Sequence, residues 1–141
     1  MKTCLIILTL FLLTTFQLQA QKALQLYGGK DHDQYLGCIN CNDFDINSIW
    51  NTSGKYGSKY SPNSIWNDAG NYGNKYSSVC PFNENAAAPP AIMDADGNFY
   101  GYLTVNKYRE KRSDNPIALA ICAHWQAIQK NIAGWYKKIV N

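Results

Sequence analysis

The chain has 141 residues, with 13 basic and 10 acidic side chains and a net charge of +3. This length fits a single domain, and so small an excess of charge does not indicate a nucleic-acid-binding groove. The N-terminal apolar run is shorter than the roughly 20 residues that a membrane-spanning helix needs, and no second run is long enough.

Residues 1–20 have the layout of a secretory signal peptide. Lys2 gives a positive start, Leu5 to Leu13 is almost wholly apolar, and Ala20 is a small residue suited to the cleavage site. The sequence therefore predicts export to the periplasm or the extracellular space, with residues 21–141 as one mature domain and no transmembrane segment.

Two β-hairpins are predicted in the mature chain. "ALQLYGG" and "QYLGCIN" contain strand formers and flank the turn-like "GGKDHD". "AIMDADGNFYGYLTVN", residues 91–106, has two apolar segments around Asp96-Gly97, a strong hairpin-turn signal.

A 16-residue unit occurs twice between these hairpins. "SIWNTSGKYGSKYSPN", residues 48–63, is followed by "SIWNDAGNYGNKYSSV", residues 64–79, and ten of the sixteen positions are identical. Partial copies extend the repeat block to about residues 43–83, as expected where terminal units cap a stacked array. Frequent Gly, Asn and Ser predict short turns and loops rather than long helices.

The aromatic residues of the repeat block allow two interpretations. Trp50 and Trp66 each follow an isoleucine and are predicted to be core. The remaining candidates are Tyr56, Tyr60, Tyr72 and Tyr76. They either form the core of a segment poor in Leu and Val, or form a ligand surface for sugar rings or extended peptides.

The C-terminal segment predicts a long amphipathic helix. Ser113 or Asp114 is the expected N-cap, Pro116 fits the first turn, and large apolar residues recur every three or four positions up to Ile139. The predicted fold class is α+β: a small antiparallel sheet from two β-hairpins packs on this helix, with the turn-rich repeat block inserted between the hairpins.

Four cysteines remain after signal cleavage, which is an even number in an exported chain and favours disulfides. They are Cys38, Cys41, Cys80 and Cys122. Of the three pairings, Cys38–Cys41 with Cys80–Cys122 is favoured. Zinc binding through the Cys-x-x-Cys pair and free thiols are the alternatives, although the second half of a zinc knuckle is missing.

The sequence contains few candidates for catalysis. His32, between Asp31 and Asp33, either acts as a base or metal ligand or lies on a solvated turn, and the Cys38/Cys41 pair is either redox-active or structural. "DADGN", residues 94–98, begins like a calcium loop but lacks its closing Glu. We therefore predict no catalytic residue, metal or cofactor.

The segments "GGKDHDQYLGCINCNDFDINSIWN" and "PPAIMDADGNFYGYLTVN", with the repeats between them, resemble a family of small exported bacterial proteins that carry tandem units beginning with SIWN and ending with YG-x-KYS. The resemblance covers about residues 26–107. It implies an exported bacterial protein and assigns no catalytic or cofactor-binding residue. Cys80 and Cys122 both depart from that family's pattern, which is consistent with a bond between them.

Together these features predict a secreted, non-catalytic protein whose repeat block is an interaction or structural surface at the cell envelope or outside. A glycan, a cell-wall polymer or a protein is the expected partner. The alternative is an exported enzyme or thiol-redox protein that uses His32 or the Cys38/Cys41 pair.

Overall fold

The computed structural model describes residues 21–140, so the predicted signal peptide lies outside the described residues. Four short strands form one antiparallel sheet in the order β2-β1-β3-β4. Their bounds are β1 Gln25–Gly28, β2 Gln34–Cys38, β3 Ala91–Met93 and β4 Phe99–Tyr102. The two predicted hairpins are present and lie side by side through the β1–β3 pair.

The turn of the second hairpin is organised by the buried carboxylate of Asp94. This carboxylate accepts hydrogen bonds from the backbone N–H groups of Asp96 and Asn98, from the Asn98 amide and from the Tyr100 hydroxyl. The Asn98 side chain, with these other donors, holds the pKa of Asp94 well below its usual range. Gly97 has a φ of 81°, a conformation that glycine adopts without strain.

Residues 42–88, called the turn segment below, form successive short turns. They contain neither an α-helix nor an extended strand. The turns of this segment start at polar residues that accept two hydrogen bonds, one at the backbone carbonyl and one at the side chain. The Ser64 carbonyl accepts from the Asn67 N–H, and the Ser64 hydroxyl accepts from the Trp66 N–H. Such side-chain bonds satisfy the backbone locally, which is why Ser and Asn fill these positions.

The same hydrogen bonds recur in the turn segment at intervals of sixteen residues. Three asparagine amides each donate to a carbonyl six residues earlier: Asn51 to Asp45, Asn67 to Ser61, and Asn83 to Ser77. The Trp50 and Trp66 indoles also donate to carbonyls earlier in the chain, but their acceptors, Ile39 and Ile49, are ten residues apart rather than sixteen. The recurring asparagines therefore make equivalent hydrogen bonds, whereas the two tryptophans bond to non-equivalent carbonyls.

Two helices follow β4: α1, Pro116–Lys130, and α2, Ile132–Ile139. The predicted single long helix is wrong, because Asn131 has extended backbone angles and its side chain accepts from Gly134 N–H to cap α2. The N-cap of this helix is also not the predicted Ser113 or Asp114. Asn115, next to Pro116, caps α1 by accepting from the Ile117 and Ala118 N–H groups.

The helices pack against the large rings of the turn segment. The buried rings of Trp50, Trp66 and Phe82 form a row, with centroids 5.6 and 5.9 Å apart. Trp125 of α1 stacks on Phe82 at 4.8 Å, and Tyr136 of α2 lies 6.0 Å from Trp50. The buried strand residues Leu26, Leu36 and Ile92 belong to the same hydrophobic core as Ile121 and Ile128 of α1, so the sheet, the turn segment and the helices share one core.

Candidate functional site

The four candidate tyrosines of the repeat divide into two pairs with opposite environments. Tyr56 and Tyr72 are half-buried against the first hairpin. The Tyr56 ring lies 4.9 Å from that of Tyr35, and a Cβ placed on Gly28 would be 2.9 Å from the Tyr72 ring. Burial, reinforced by neighbouring Tyr56, raises the pKa of Tyr35 to about 12. Tyr56 and Tyr72 therefore contribute mainly to packing.

Tyr60 and Tyr76 instead face solvent, with 82% and 81% of their surface exposed. Phe44 occupies the corresponding position sixteen residues earlier and is 86% exposed. Such large rings left in water gain no burial energy in the folded chain. Three exposed aromatic residues thus recur at intervals of sixteen along the sequence.

A groove of about 1110 Å³ lies between the turn segment and α1. Its repeat-side lining comprises Lys59, Tyr60, Trp66, Asn67, Asp68, Ala69, Gly73, Asn74, Lys75 and Tyr76. Its helix-side lining comprises Trp125, Gln126, Gln129 and Lys130. The exposed tyrosine pair thus borders one groove, whereas Tyr56 and Tyr72 do not line it.

Each exposed tyrosine of the groove is accompanied by the lysine that precedes it. The Lys59 ammonium lies 5.5 Å from the Tyr60 ring centroid, and the Lys75 ammonium lies 5.2 Å from that of Tyr76. These distances are typical of cation–π contacts, which keep the ammonium beside the ring. The two units therefore present the same Lys–Tyr pair twice.

Gln129 lines the groove on the helix side. Its Nε2 is buried and has no hydrogen-bond partner within the part of the chain that the structure describes.

The predicted cysteine pairs have different outcomes. Cys38 and Cys41 form a disulfide, as predicted. The predicted Cys80–Cys122 bond is not formed, and both residues are free thiols. Cys80 occupies the position of Ser64 in the repeat, and its sulfur accepts from the Phe82 N–H in the same way. Burial raises the pKa of each free thiol to about 11, which keeps both thiols protonated and unreactive near neutral pH.

His32 lies apart from the groove. It has a φ of 53°, its Nε2 is 2.8 Å from the Pro89 carbonyl oxygen, and its ring lies 5.5 Å from that of Tyr102. The structure therefore does not bring His32 together with the groove tyrosines. Within residues 21–140, no group of three or more His, Cys, Asp or Glu side chains is arranged to hold a metal ion.

Sequence reasoning missed the helix side of the groove and the lysines that accompany the tyrosines. The lysines occupy the same position in both units, as "KY" at 59–60 and 75–76. Trp125 and Gln129 carried no comparable signal, because only the fold brings α1 beside the turn segment.

Neither α1 nor α2, the helices of the described region, is long and apolar enough to cross a membrane. No protein-family model, curated protein or solved structure matches the chain.

Proposed function

We propose that this is an exported, non-catalytic binding protein that holds an extended polymer of the cell envelope or its surroundings in the groove. In this proposal the repeat block, residues 43–83, is a stacked scaffold that presents the Lys59–Tyr60 and Lys75–Tyr76 pairs side by side. The predicted signal peptide and the resemblance to exported bacterial proteins support the location.

The observation that carries the proposal is the outward orientation of Tyr60 and Tyr76. The tryptophans of the same units are buried, so packing accounts for those rings but not for the exposed tyrosines. An open groove with aromatic walls and a few polar groups suits a long, thin ligand that enters from the side. The catalytic or thiol-redox alternative has less support, because His32 and Cys38 do not line the groove.

The test replaces the two exposed rings and compares them with a matched tyrosine. Tyr108 is 93% exposed, follows Lys107, and sits in the same kind of turn, with its N–H bonded to the Asn106 side chain. It does not line the groove. The Tyr60→Ala/Tyr76→Ala protein and the Tyr108→Ala protein are compared with the wild type on a glycan microarray that carries neutral and acidic chains, and by sedimentation with purified peptidoglycan.

We expect the wild type and Tyr108→Ala to be retained equally, and the double variant to lose retention while its circular dichroism spectrum is unchanged. Retention of the double variant at the wild-type level contradicts the proposal. So does failure of the wild type to bind any of these polymers.

A further inference from the structure

We propose that the polymer held in this groove is a carboxylated polysaccharide, an inference that rests on the proposed function and names its ligand. Two features of the groove lead to it: its charge, and the aromatic and amide side chains that line it.

The charge of the groove is positive. Three lysines line it, Lys59, Lys75 and Lys130, against one aspartate, Asp68. The surplus of two positive charges faces an open channel, where it attracts an anion and repels a cation. Because one lysine belongs to each repeat unit, the positive charges are distributed along the groove. That distribution suits a polymer with a carboxylate on successive residues better than a single compact anion.

The remaining contacts suit sugar residues. Each Lys–Tyr pair holds an ammonium group over one face of an aromatic ring, so a sugar residue bound at the tyrosine meets an apolar surface and a positive charge together. Gln126 on α1 is exposed and lines the groove. Amide side chains donate and accept hydrogen bonds, as hydroxyl groups do.

An extended acidic peptide is the alternative occupant of this groove, and the experiment below separates it from the polysaccharide.

The experiment uses oligogalacturonates of defined length as probes, with their methyl esters as uncharged ligands of the same shape. Binding to the full mature protein is followed by the fluorescence of Trp66 and Trp125, which line the groove. We expect the affinity to rise about tenfold or more once the oligomer is long enough to reach both Lys–Tyr pairs. We expect the methyl esters to bind about tenfold more weakly, because each exposed ion pair contributes up to roughly fivefold.

The variants separate the lysines of the groove from lysines elsewhere. Lys59→Gln/Lys75→Gln is expected to bind oligogalacturonate about tenfold more weakly and to lose the difference between acid and ester. Lys107→Gln, which alters the matched pair outside the groove, is expected to bind like the wild type. High salt should weaken binding of the acid but not that of the ester.

Equal affinity for acid and ester, with both abolished by Tyr60→Ala/Tyr76→Ala, would overturn the carboxylated ligand while leaving the proposed function intact. Polyglutamate of equal charge serves as the peptide arm. If it binds as tightly as the oligogalacturonate, the groove recognises acidic peptides and the polysaccharide inference is wrong. Failure of the tyrosine variant to affect binding of any probe refutes the proposed function itself.

Discussion

Gly57 and Gly73 are sixteen residues apart, and replacing either by alanine should unfold the turn segment locally. A Cβ on Gly57 would lie 2.1 Å from the carbonyl oxygen of Asn51, and the same distance separates a Cβ on Gly73 from the Asn67 oxygen. Real Cβ atoms essentially never approach within 3.0 Å, so the backbone must move by about an ångström. Such overpacking costs about 1–3 kcal/mol.

The displaced carbonyl also loses a hydrogen bond. The Asn51 oxygen accepts from the Gly54 N–H at 2.9 Å, and losing that bond adds about 1 kcal/mol. We therefore expect Gly57→Ala to lower the free energy of unfolding by about 2–4 kcal/mol, as measured by urea denaturation with tryptophan fluorescence. Gly73→Ala should cost the same amount, because the contact and the hydrogen bond recur in its own unit.

Gly54 provides the matched control within the same unit. A Cβ there would lie 3.2 Å from a side-chain atom of Asn51, so the neighbour needs to move by only a few tenths of an ångström. Gly54→Ala should therefore change stability by less than about 1 kcal/mol. The reasoning is refuted if Gly54→Ala and Gly57→Ala are equally stable, or if Gly73→Ala differs from Gly57→Ala by more than the error of the measurement.

Two further predictions concern single side chains of the turn segment. Trp66→Phe removes the indole N–H that bonds the Ile49 carbonyl; it should cost about 1–3 kcal/mol in urea denaturation, and Trp50→Phe should cost a similar amount. Cys80→Ser restores the hydroxyl found at the equivalent repeat positions, so stability near pH 7 should change by less than about 1 kcal/mol. Burial raises the pKa of the Cys80 thiol from 9.0 to about 11, so its contribution to stability is present below pH 9 and is lost as the pH rises through 11. The Cys80→Ser variant should therefore lose less stability than the wild type as the pH rises above 9. Cys122→Ser, which removes the thiol of Cys122 instead, is the comparison.

Each of these predictions has a specific outcome that contradicts it. A Trp66→Phe protein as stable as the wild type would show that the hydrogen bond to Ile49 contributes nothing measurable. For Cys80, the decisive result is rapid alkylation of the native protein by iodoacetamide near pH 8, where only about one thiol in a thousand should be ionised. That result would contradict the burial of the thiol.

The local elements could be predicted from the sequence because their signals are local. Asp96-Gly97 specifies a hairpin turn. The recurring Ser and Asn positions specify turns in which a side chain hydrogen-bonds to the backbone of the same turn. The location of Tyr56 against Tyr35 and the stacking of Trp125 on Phe82 could not be predicted, because they depend on how distant segments pack. For the same reason, the sequence did not show which of the two tyrosine positions in the repeat is packed and which is exposed, although the fold separates them into a packed pair and an exposed pair.

The break between α1 and α2 was missed because the apolar periodicity continues across it. Ile128 and Ile132 are both buried, so the hydrophobic pattern shows no interruption at Asn131. The signal was the asparagine three residues before Gly134, which is a helix-capping arrangement inside an otherwise helical pattern. The absence of a Cys80–Cys122 bond was likewise predictable only from the turn, in which Cys80 replaces a hydrogen-bonding serine.

The row of buried rings formed by Trp50, Trp66 and Phe82 shows where the series of repeat units ends. Trp50 and Trp66 each donate to a carbonyl earlier in the chain, whereas Phe82, at the next equivalent position, has no N–H to offer and stacks flat on Trp125 instead, with an angle of 6° between the planes. Trp66 thus joins its unit to the one before it, Trp50 joins its own unit to the segment that follows β2, and Phe82 ends the series. Chain growth by duplication of a whole 16-residue unit before Phe82 would lengthen the groove by one Lys–Tyr pair while leaving its closing contact with α1 unchanged.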